Sequence, residues 1–197
     1  MTSIQWISIA VLASLIFWSV GAYNRLVRLK NIIANAFGQI DVQLKRRYEL
    51  IPNLVEAARK YLSHERETLE AVIAARNQAK SASDVARSRP SNALAVSTLA
   101  VAEQALSSSL GQLFALSEAY PELKADQTIR ELSEELTSTE NKVTFARQAF
   151  NDAVLDYNSA QGQFPAVLVA RLFSFAPSAM LQATESAEER KTVRIAM

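Results

Sequence analysis

The sequence contains no cysteine and only one histidine, four glycines and five prolines among its 197 residues. Without cysteine the chain can form no disulfide, no thiolate nucleophile and no thiolate metal site. The one histidine, His64, begins the run His-Glu-Arg-Glu-Thr, which lacks the second histidine of a zinc-binding His-Glu-x-x-His helix. We therefore expect no metal and no other cofactor, and we assign His64 to an ordinary hydrogen bond on or between helices.

Glycine-rich phosphate loops and nucleophile elbows are also missing from the sequence. The net charge is only +1 and the basic residues are not interleaved with aromatics, which argues against nucleic acid as a partner. The charge is unevenly distributed along the chain. Residues 1–60 carry eight Lys and Arg against three Asp and Glu, and the remainder has a net negative charge. Few glycines and prolines, with abundant Ala, Leu, Glu, Arg and Ser, favour an all-α fold.

Residues 4–22 carry no charged side chain and are long enough to cross a bilayer as a helix. Trp6 lies near one end, and Trp18 and Tyr23 lie towards the other, where amphipathic rings favour the membrane interface. A cleaved signal peptide is the alternative interpretation. It fits poorly, because no basic segment precedes the apolar run and no small-x-small site ends it.

Basic residues flank this apolar run on one side only. Arg25, Arg28 and Lys30 follow it directly, whereas no Lys or Arg precedes it. The positive-inside rule therefore predicts a single-pass anchor over residues 1–23, with a short exterior N-terminus and the rest of the chain in the cytoplasm.

The segment from Asn24 to Lys80 has apolar residues at mostly helical spacing and predicts one very long helix. Pro52 removes a backbone donor from this helix, so either a kink or a true split is expected there. The apolar series resumes at Leu54 in roughly the same phase, which favours the kink.

Beyond this helix, residues 81–92 are small and polar and predict a loop. Two more helices are predicted, over residues 93–119 and 126–161. The second of these has the cleanest seven-residue periodicity in the chain. Asp126 or Thr128 is expected to cap its start.

We divide the chain into an anchor over 1–23, a helical bundle over 24–165, and an apolar segment with a tail over 166–197. The fold class is all-α, with an N-terminal transmembrane helix followed by an elongated antiparallel bundle of three to four long helices. The apolar run 166–175 is too short to cross a membrane, and it can fold back on the bundle, lie at the lipid surface or meet a partner. Residues 178–197 are polar with mixed charge and are predicted to be disordered.

The densest basic run of the sequence lies in the first bundle helix. It is either a docking patch for an acidic partner or a solvated face with pairs such as Asp41–Lys45 at i, i+4, and the spacing favours the solvated face. The candidate interaction residues are Lys45, Arg46, Arg47, Glu49 and Glu56.

Acidic residues along the helix at 126–161 are expected to neutralise the basic first helix, and buried asparagines are expected to fix register, as they do in coiled coils. Paired carboxylates can also do acid–base chemistry, and a pocket joining Asp152, Asp156 and His64 would indicate an enzyme. We expect no enzyme. The candidate structural and register residues are Asp41, Pro52, Asn53, His64, Glu140, Asn141, Arg147, Asn151, Tyr157 and Asn158.

Two blocks of sequence carry a family resemblance. Residues 23–76 include the strings IDVQLKRR and LIPNLVE, and residues 120–165 include YPELKA and TENK. In this order, after an apolar N-terminal helix, they resemble the LemA family. The resemblance implies a bacterial membrane protein with an exterior N-terminus, a cytoplasmic antiparallel helical bundle and no known enzymatic activity. It transfers no chemical role to any residue, and the sequence after Pro165 is only loosely similar.

Our functional hypothesis is a membrane-anchored, non-enzymatic scaffold or adaptor at the bacterial inner membrane. We expect it to be a homo-oligomer whose other partners are the lipid bilayer and unidentified proteins. Some LemA members are encoded beside membrane zinc proteases or TPM-domain proteins. The alternative hypothesis is therefore an accessory regulator of a membrane protease or a signalling enzyme in envelope stress.

Overall fold

The computed structural model describes residues 3–181, and over that range the chain folds into six helices. The four long helices pack into an elongated bundle, and no strand occurs within the described range, which confirms the predicted all-α class. The helices are α1 (Ser3–Arg59), α2 (Arg66–Ser88), α3 (Ala93–Ser117), α4 (Pro121–Ala125), α5 (Gln127–Gly162) and α6 (Ala166–Leu172).

The bundle is built around α1, which has 57 residues and is about 85 Å long. Contacts between α1 and α5 show that these two helices are antiparallel. The Phe37 ring lies edge-to-face against the Phe150 ring, with centroids 5.8 Å apart. Arg46, which follows Phe37 on α1, pairs with Glu135, which precedes Phe150 on α5. α2 returns along α1 after a short loop over residues 60–65.

Buried side chains follow seven-residue repeats, which is the period that keeps one face of a helix turned towards its neighbours. Each large apolar side chain fully buried in this way contributes about 1.5–3 kcal/mol. One such series on α1 is Phe37, Leu44, Ile51 and Ala58, and one on α5 is Ile129, Leu136, Val143, Phe150 and Tyr157.

The N-terminal part of α1 extends beyond the bundle. Over residues 3–181, α1 and α3 are the two helices long and apolar enough to cross a membrane. The apolar window of α1 is 0% buried, whereas a third of the α3 window is covered by the rest of the bundle.

The predicted single helix from Asn24 to Lys80 is wrong in one respect, because the break falls at residues 60–65 and not at Pro52. α1 reaches the end of the bundle at Arg59. A straight continuation would leave the apolar face of α2 in water, whereas the turn buries Leu69 and Val72 against the other helices. The α1–α2 turn also buries Leu62, which closes this end of the core.

Pro52 lies inside α1 without ending it, and the neighbouring helix supplies the reason. In an α-helix the N–H of residue 52 would donate to the carbonyl of Tyr48, and proline has no N–H. Here the Nε of Arg76, on α2, donates to that carbonyl oxygen at 2.9 Å. The guanidinium replaces the missing backbone donor, so the helix passes through the proline.

Other boundaries differ from the predictions. The expected loop over 81–92 is wrong for its first part, because α2 continues to Ser88 and buries the small residues Ala82 and Ala86, and the actual loop is 89–92. Asp126 caps α5 as predicted, since its side chain accepts from the N–H of Ile129 at 3.1 Å.

At the C-terminal end, the apolar run 166–175 forms α6 and the turn that follows it, and both pack against α1 and α5. The prediction of disorder over 178–197 is wrong for residues 178–181, which are extended and hydrogen-bonded to α5. The remainder of that prediction lies outside the described residues.

Replacing Arg76 with Met should lower the free energy of unfolding by about 1–3 kcal/mol, because the Tyr48 carbonyl loses its donor while the aliphatic stem is kept. In a Pro52→Ala background the same replacement should cost less, because the N–H of the new alanine can serve that carbonyl. Urea denaturation of the four proteins in detergent micelles measures this coupling. An equal cost in both backgrounds would show that Arg76 does not compensate for Pro52.

Candidate functional site

The three basic residues of the run at 45–47 have different surroundings. Successive residues of a helix point about 100° apart, so the three cannot share one face. The Lys45 side chain is exposed, with its Nζ 2.7 Å from Asp41 Oδ2, which is the predicted i, i+4 pair. Arg46 is also exposed and pairs with Glu135. Arg47 is 5% exposed and points into the bundle, so it contributes nothing to the outer surface.

The buried guanidinium of Arg47 joins three helices. Its Nη1 lies 2.9 Å from Glu103 Oε2 on α3 and 2.8 Å from Glu140 Oε2 on α5. Its Nη2 donates to Ser107 Oγ on α3 at 3.0 Å. Tyr48, the next residue on α1, donates its phenol O–H to Glu103 Oε1. We call these five residues the Arg47 layer.

Arg47 and Glu103 occupy core positions of the seven-residue repeats. On α1 the buried series runs Leu26, Ile33, Ile40, Arg47 and Leu54, and on α3 it runs Val96, Glu103 and Leu110. Glu103 is the only charged residue between Ala93 and Ser117. A lone carboxylate at a core position of an apolar helix needs a cationic partner, since burying an unpaired charge costs several kcal/mol. This pattern is the sequence signal for Glu103, which is missing from the predicted site residues. Ser107 and Tyr48 are also missing from them, and the lone carboxylate does not point to either.

Burial raises the pKa of two groups in the layer, the Tyr48 phenol and the Glu103 carboxyl. Burial, reinforced by the negative charge of Glu103, raises the pKa of the Tyr48 phenol far above its ordinary value of 10.0, so this tyrosine is a permanent donor. Burial also raises the pKa of Glu103 above 4.5. The Arg47 charge and the hydrogen bond from Tyr48 oppose that rise without cancelling it.

Two further predicted residues, Asp41 and Arg147, bring charged groups into the bundle. The carboxylate of Asp41 is buried and lies between Lys45 and Arg87, whose Nε is 3.4 Å from Asp41 Oδ1. Arg147 lies two turns after Glu140 on α5, and its positive charge acts on Glu103. Its Nε is buried without a hydrogen-bond partner among the described residues. The positive charges of Arg47 and Arg147 therefore both act on Glu103.

The stability of the fold should respond to pH through Glu103. Because burial raises its folded-state pKa above 4.5, the folded chain holds the proton more tightly than the unfolded chain does. Wild type should therefore gain stability relative to Glu103→Gln as the pH falls through the raised folded pKa, and the gain should level off below about 4.5. Arg47, Arg147, Tyr48 and Glu140 stay unchanged in both proteins.

Urea denaturation over this pH range measures the difference, with the exposed Glu49→Gln as the matched control. A pH-independent difference between wild type and Glu103→Gln would contradict the assignment.

Two of the predicted register asparagines bind the backbone of a later segment of the chain. Asn158 donates to the carbonyl of Ser178 at 2.8 Å and accepts from the N–H of the same residue at 2.9 Å. Asn151 makes the same pair of bonds with Leu181, at 3.1 and 2.8 Å. The two amides, one heptad apart on α5, hold extended backbone by its peptide groups alone.

Other side chains hold the same segment, residues 175–181, which we call the C-terminal strap. The Tyr157 hydroxyl donates to the carbonyl of Ala176 at 2.9 Å, and Ser178 Oγ donates to the carbonyl of Ser91 in the α2–α3 loop at 3.1 Å. The strap therefore joins α5 to the loop between α2 and α3.

The remaining predicted residues are not brought together. Asn53, Glu49, Glu56 and Asn141 are exposed, and Glu56 pairs with Arg59 at 3.2 Å. His64 is exposed in the α1–α2 loop, so its predicted place on or between helices is wrong. Asp152 and Asp156 are exposed near the strap, at the other end of the bundle, so the three do not share a pocket. Across residues 3–181 no group of three or more His, Cys, Asp or Glu side chains is arranged to hold a metal ion.

Residues 36–196 match the model of the LemA family. The chain belongs to the LemA family. The match begins on α1 beyond the apolar segment, and it includes the whole Arg47 layer, both strap-binding asparagines and the strap itself. The resemblance noted in the sequence is thereby confirmed. No curated protein matches the chain.

In this LemA chain, Asn158→Ala should loosen the C-terminal strap, because it removes two hydrogen bonds worth about 0.5–1.5 kcal/mol each. Limited chymotrypsin digestion mapped by mass spectrometry should show faster cleavage within residues 175–181. Asn141→Ala, an exposed asparagine on the same helix, is the matched control and should leave the cleavage rate unchanged. Equal cleavage in both variants would contradict a clamping role for Asn158.

Proposed function

We propose that this LemA chain is a membrane-anchored, non-catalytic scaffold whose helical bundle contacts other proteins at the membrane surface. One observation carries the proposal: α1 contains both the exposed apolar segment and the central seam of the bundle in a single helix. About twenty apolar residues are needed to cross a bilayer, and residues 4–22 supply nearly that number.

The continuity of α1 supports a rigid connection between anchor and bundle. Leu26 is 1% exposed and Ile33 is fully buried, so the core begins within two turns of the apolar run. A helix that has one end in lipid and the other in a packed core transmits the orientation of its anchor to the bundle. The positive charges of Arg25, Arg28 and Lys30 favour a bundle on the cytoplasmic side of the inner membrane, with the short N-terminus outside.

We propose the outer face of α3 as the contact with a second copy of the chain. Its one charged residue, Glu103, is buried, so the exposed side is free of charge and includes Leu94 and Val101, which are 75% and 68% exposed. Interface cores are depleted in charge, and two identical uncharged faces can meet without repulsion. Lys45 and Arg46, exposed on α1, are proposed as the docking residues for an acidic partner.

Crosslinking in native membranes followed by affinity purification and mass spectrometry tests these surfaces. Wild type should give crosslinked homo-oligomers in the carbonate-resistant membrane fraction. Val101→Glu with Ala105→Glu should abolish them, because two carboxylates would enter each side of the proposed contact. Lys45→Glu with Arg46→Glu should leave the oligomer intact and remove one captured partner.

Asn141→Glu with Gln148→Glu provides the control for the α3 variant, since both side chains are exposed on α5 and each of these two variants adds two negative charges. Circular dichroism checks that every variant keeps its helix content. Recovery of monomers alone from wild-type membranes, with no reproducible partner, would overturn the scaffold proposal. Release of the protein by carbonate would overturn the anchor.

A further inference from the structure

Large apolar side chains are exposed at the end of the bundle from which the N-terminal apolar segment emerges. Phe164, in the α5–α6 connection, is 82% exposed, and Leu168 and Leu172 on α6 are 58% and 77% exposed. Phe173, which follows α6, is 52% exposed. We call these four residues the α6 wedge. In water such a cluster would be costly, since each apolar side chain left exposed forgoes about 1.5–3 kcal/mol of burial.

The wedge lies against the apolar segment of α1. Leu172 and Phe173 line one groove with Leu15, Ile16 and Val20 of that segment. The Phe173 ring also meets the Tyr23 ring edge-to-face, with centroids 4.9 Å apart.

On the other flank of α1, Phe164 and Pro165 line a second groove with Trp18 and Ala22. The wedge therefore lies beside the C-terminal half of the apolar run, on two flanks of α1.

The position of the wedge along the α1 axis indicates what covers it. Leu15 precedes Ala22, the last residue of the apolar run, by seven residues, which is about 10 Å along the helix. If residues 4–22 lie in lipid, the side chains beside Leu15 and Ile16 lie at a similar depth. Amphipathic elements at membrane surfaces typically bury their apolar face about 5–10 Å below the headgroups.

We infer that the α6 wedge inserts into the cytoplasmic leaflet of the bilayer, next to the anchor. This inference rests on the proposed membrane anchor and adds a second contact with lipid that the anchor alone does not require. The occupant of the wedge surface is lipid, because the surface is continuous with the lipid-facing side of α1.

The backbone at the tip of the wedge is suited to this environment. Unpaired peptide groups are expensive in lipid, and the turn after α6 pairs its own. Ser174 has a positive φ of 55°, and its N–H donates to the carbonyl of Arg171 at 3.3 Å. The N–H of Phe175 donates to the carbonyl of Ala170 at 2.9 Å, which completes a Schellman-type helix end.

Basic side chains lie at the rim of the wedge. Arg171 is exposed on α6, and Arg25 and Arg28 are exposed on α1 just beyond the apolar run. A lysine or arginine near an anionic membrane surface contributes about 1 kcal/mol of attraction. With both contacts made, the bundle is held to the membrane at two places and cannot swing freely about α1.

Because the sequence contains no cysteine, a thiol-reactive fluorophore labels only a cysteine that is introduced. Full-length single-cysteine variants carry an environment-sensitive fluorophore at exposed positions and are reconstituted into vesicles of phosphatidylcholine and phosphatidylglycerol. Leu172→Cys and Leu168→Cys report on the wedge, and Leu12→Cys reports on the anchor. Phe145→Cys is the matched control, because Phe145 is a 77% exposed aromatic on the bundle far from α6.

Labels at positions 168 and 172 should show blue-shifted emission, resist quenching by aqueous iodide and be quenched by lipids with a nitroxide near the headgroup. The label at position 145 should be quenched by iodide alone. If positions 168 and 172 behave like position 145 while position 12 is quenched by lipid nitroxides, the wedge is wrong and the anchor stands. If position 12 is also quenched by iodide, the anchor itself is wrong, and with it the scaffold proposal.

Discussion

A guanidinium group inside a helical bundle requires carboxylates beside it, and this requirement sets the register of the structure. Arg47 lies where the seven-residue repeat of α1 would place an apolar residue, and it pairs with Glu103 on α3 and Glu140 on α5. Sliding α1 or α3 by a turn would separate the buried charges of Arg47 and Glu103, at a cost of about 3–5 kcal/mol. Apolar repeats alone tolerate such slippage much better, because leucine and isoleucine pack against each other at many offsets.

Pro52, on the same helix, leaves a backbone carbonyl that needs a hydrogen-bond donor from outside the helix. The carbonyl of Tyr48 has no donor within α1, and Arg76 on α2 supplies one. Arg47 and Arg76 therefore connect α1 to α2, α3 and α5 by polar contacts. Each of these contacts forms at only one position along the bundle axis. This arrangement explains how a 57-residue helix stays continuous from its apolar segment into the core. That continuity, in turn, gives the proposed anchor a fixed relation to the bundle surface and to the α6 wedge.

The sequence predicted the helices at 93–119 and 126–161 closely, because their repeats are regular and their ends carry local signals such as the Asp126 cap. It failed where the signal is not local. The fold-back at 60–65 follows from the length of the bundle, which no single segment encodes. The extension of α2 through residues 81–88 depends on the small side chains of Ala82 and Ala86, which are buried in the bundle.

The asparagines illustrate the same limit. Asn151 and Asn158 stand out on α5 as polar residues near an apolar stripe, and inter-helix register was the natural interpretation. Their actual partners are backbone groups of the strap, some twenty to thirty residues further along the chain. A side-chain amide can hold any extended peptide, so nothing in the composition of the strap reveals the contact.

By itself, therefore, the sequence determined the helical class, the exposed apolar segment, the main seams and the LemA membership. These depend on composition, on short periodic patterns and on strings of residues that are read along the chain. Only the tertiary structure decided which of the three consecutive basic residues is buried and which carboxylates pair with it. It also decided that the α6 wedge lies beside the apolar segment. Those choices join residues that are tens of positions apart, and they are settled by the balance of desolvation and pairing when whole helices pack together.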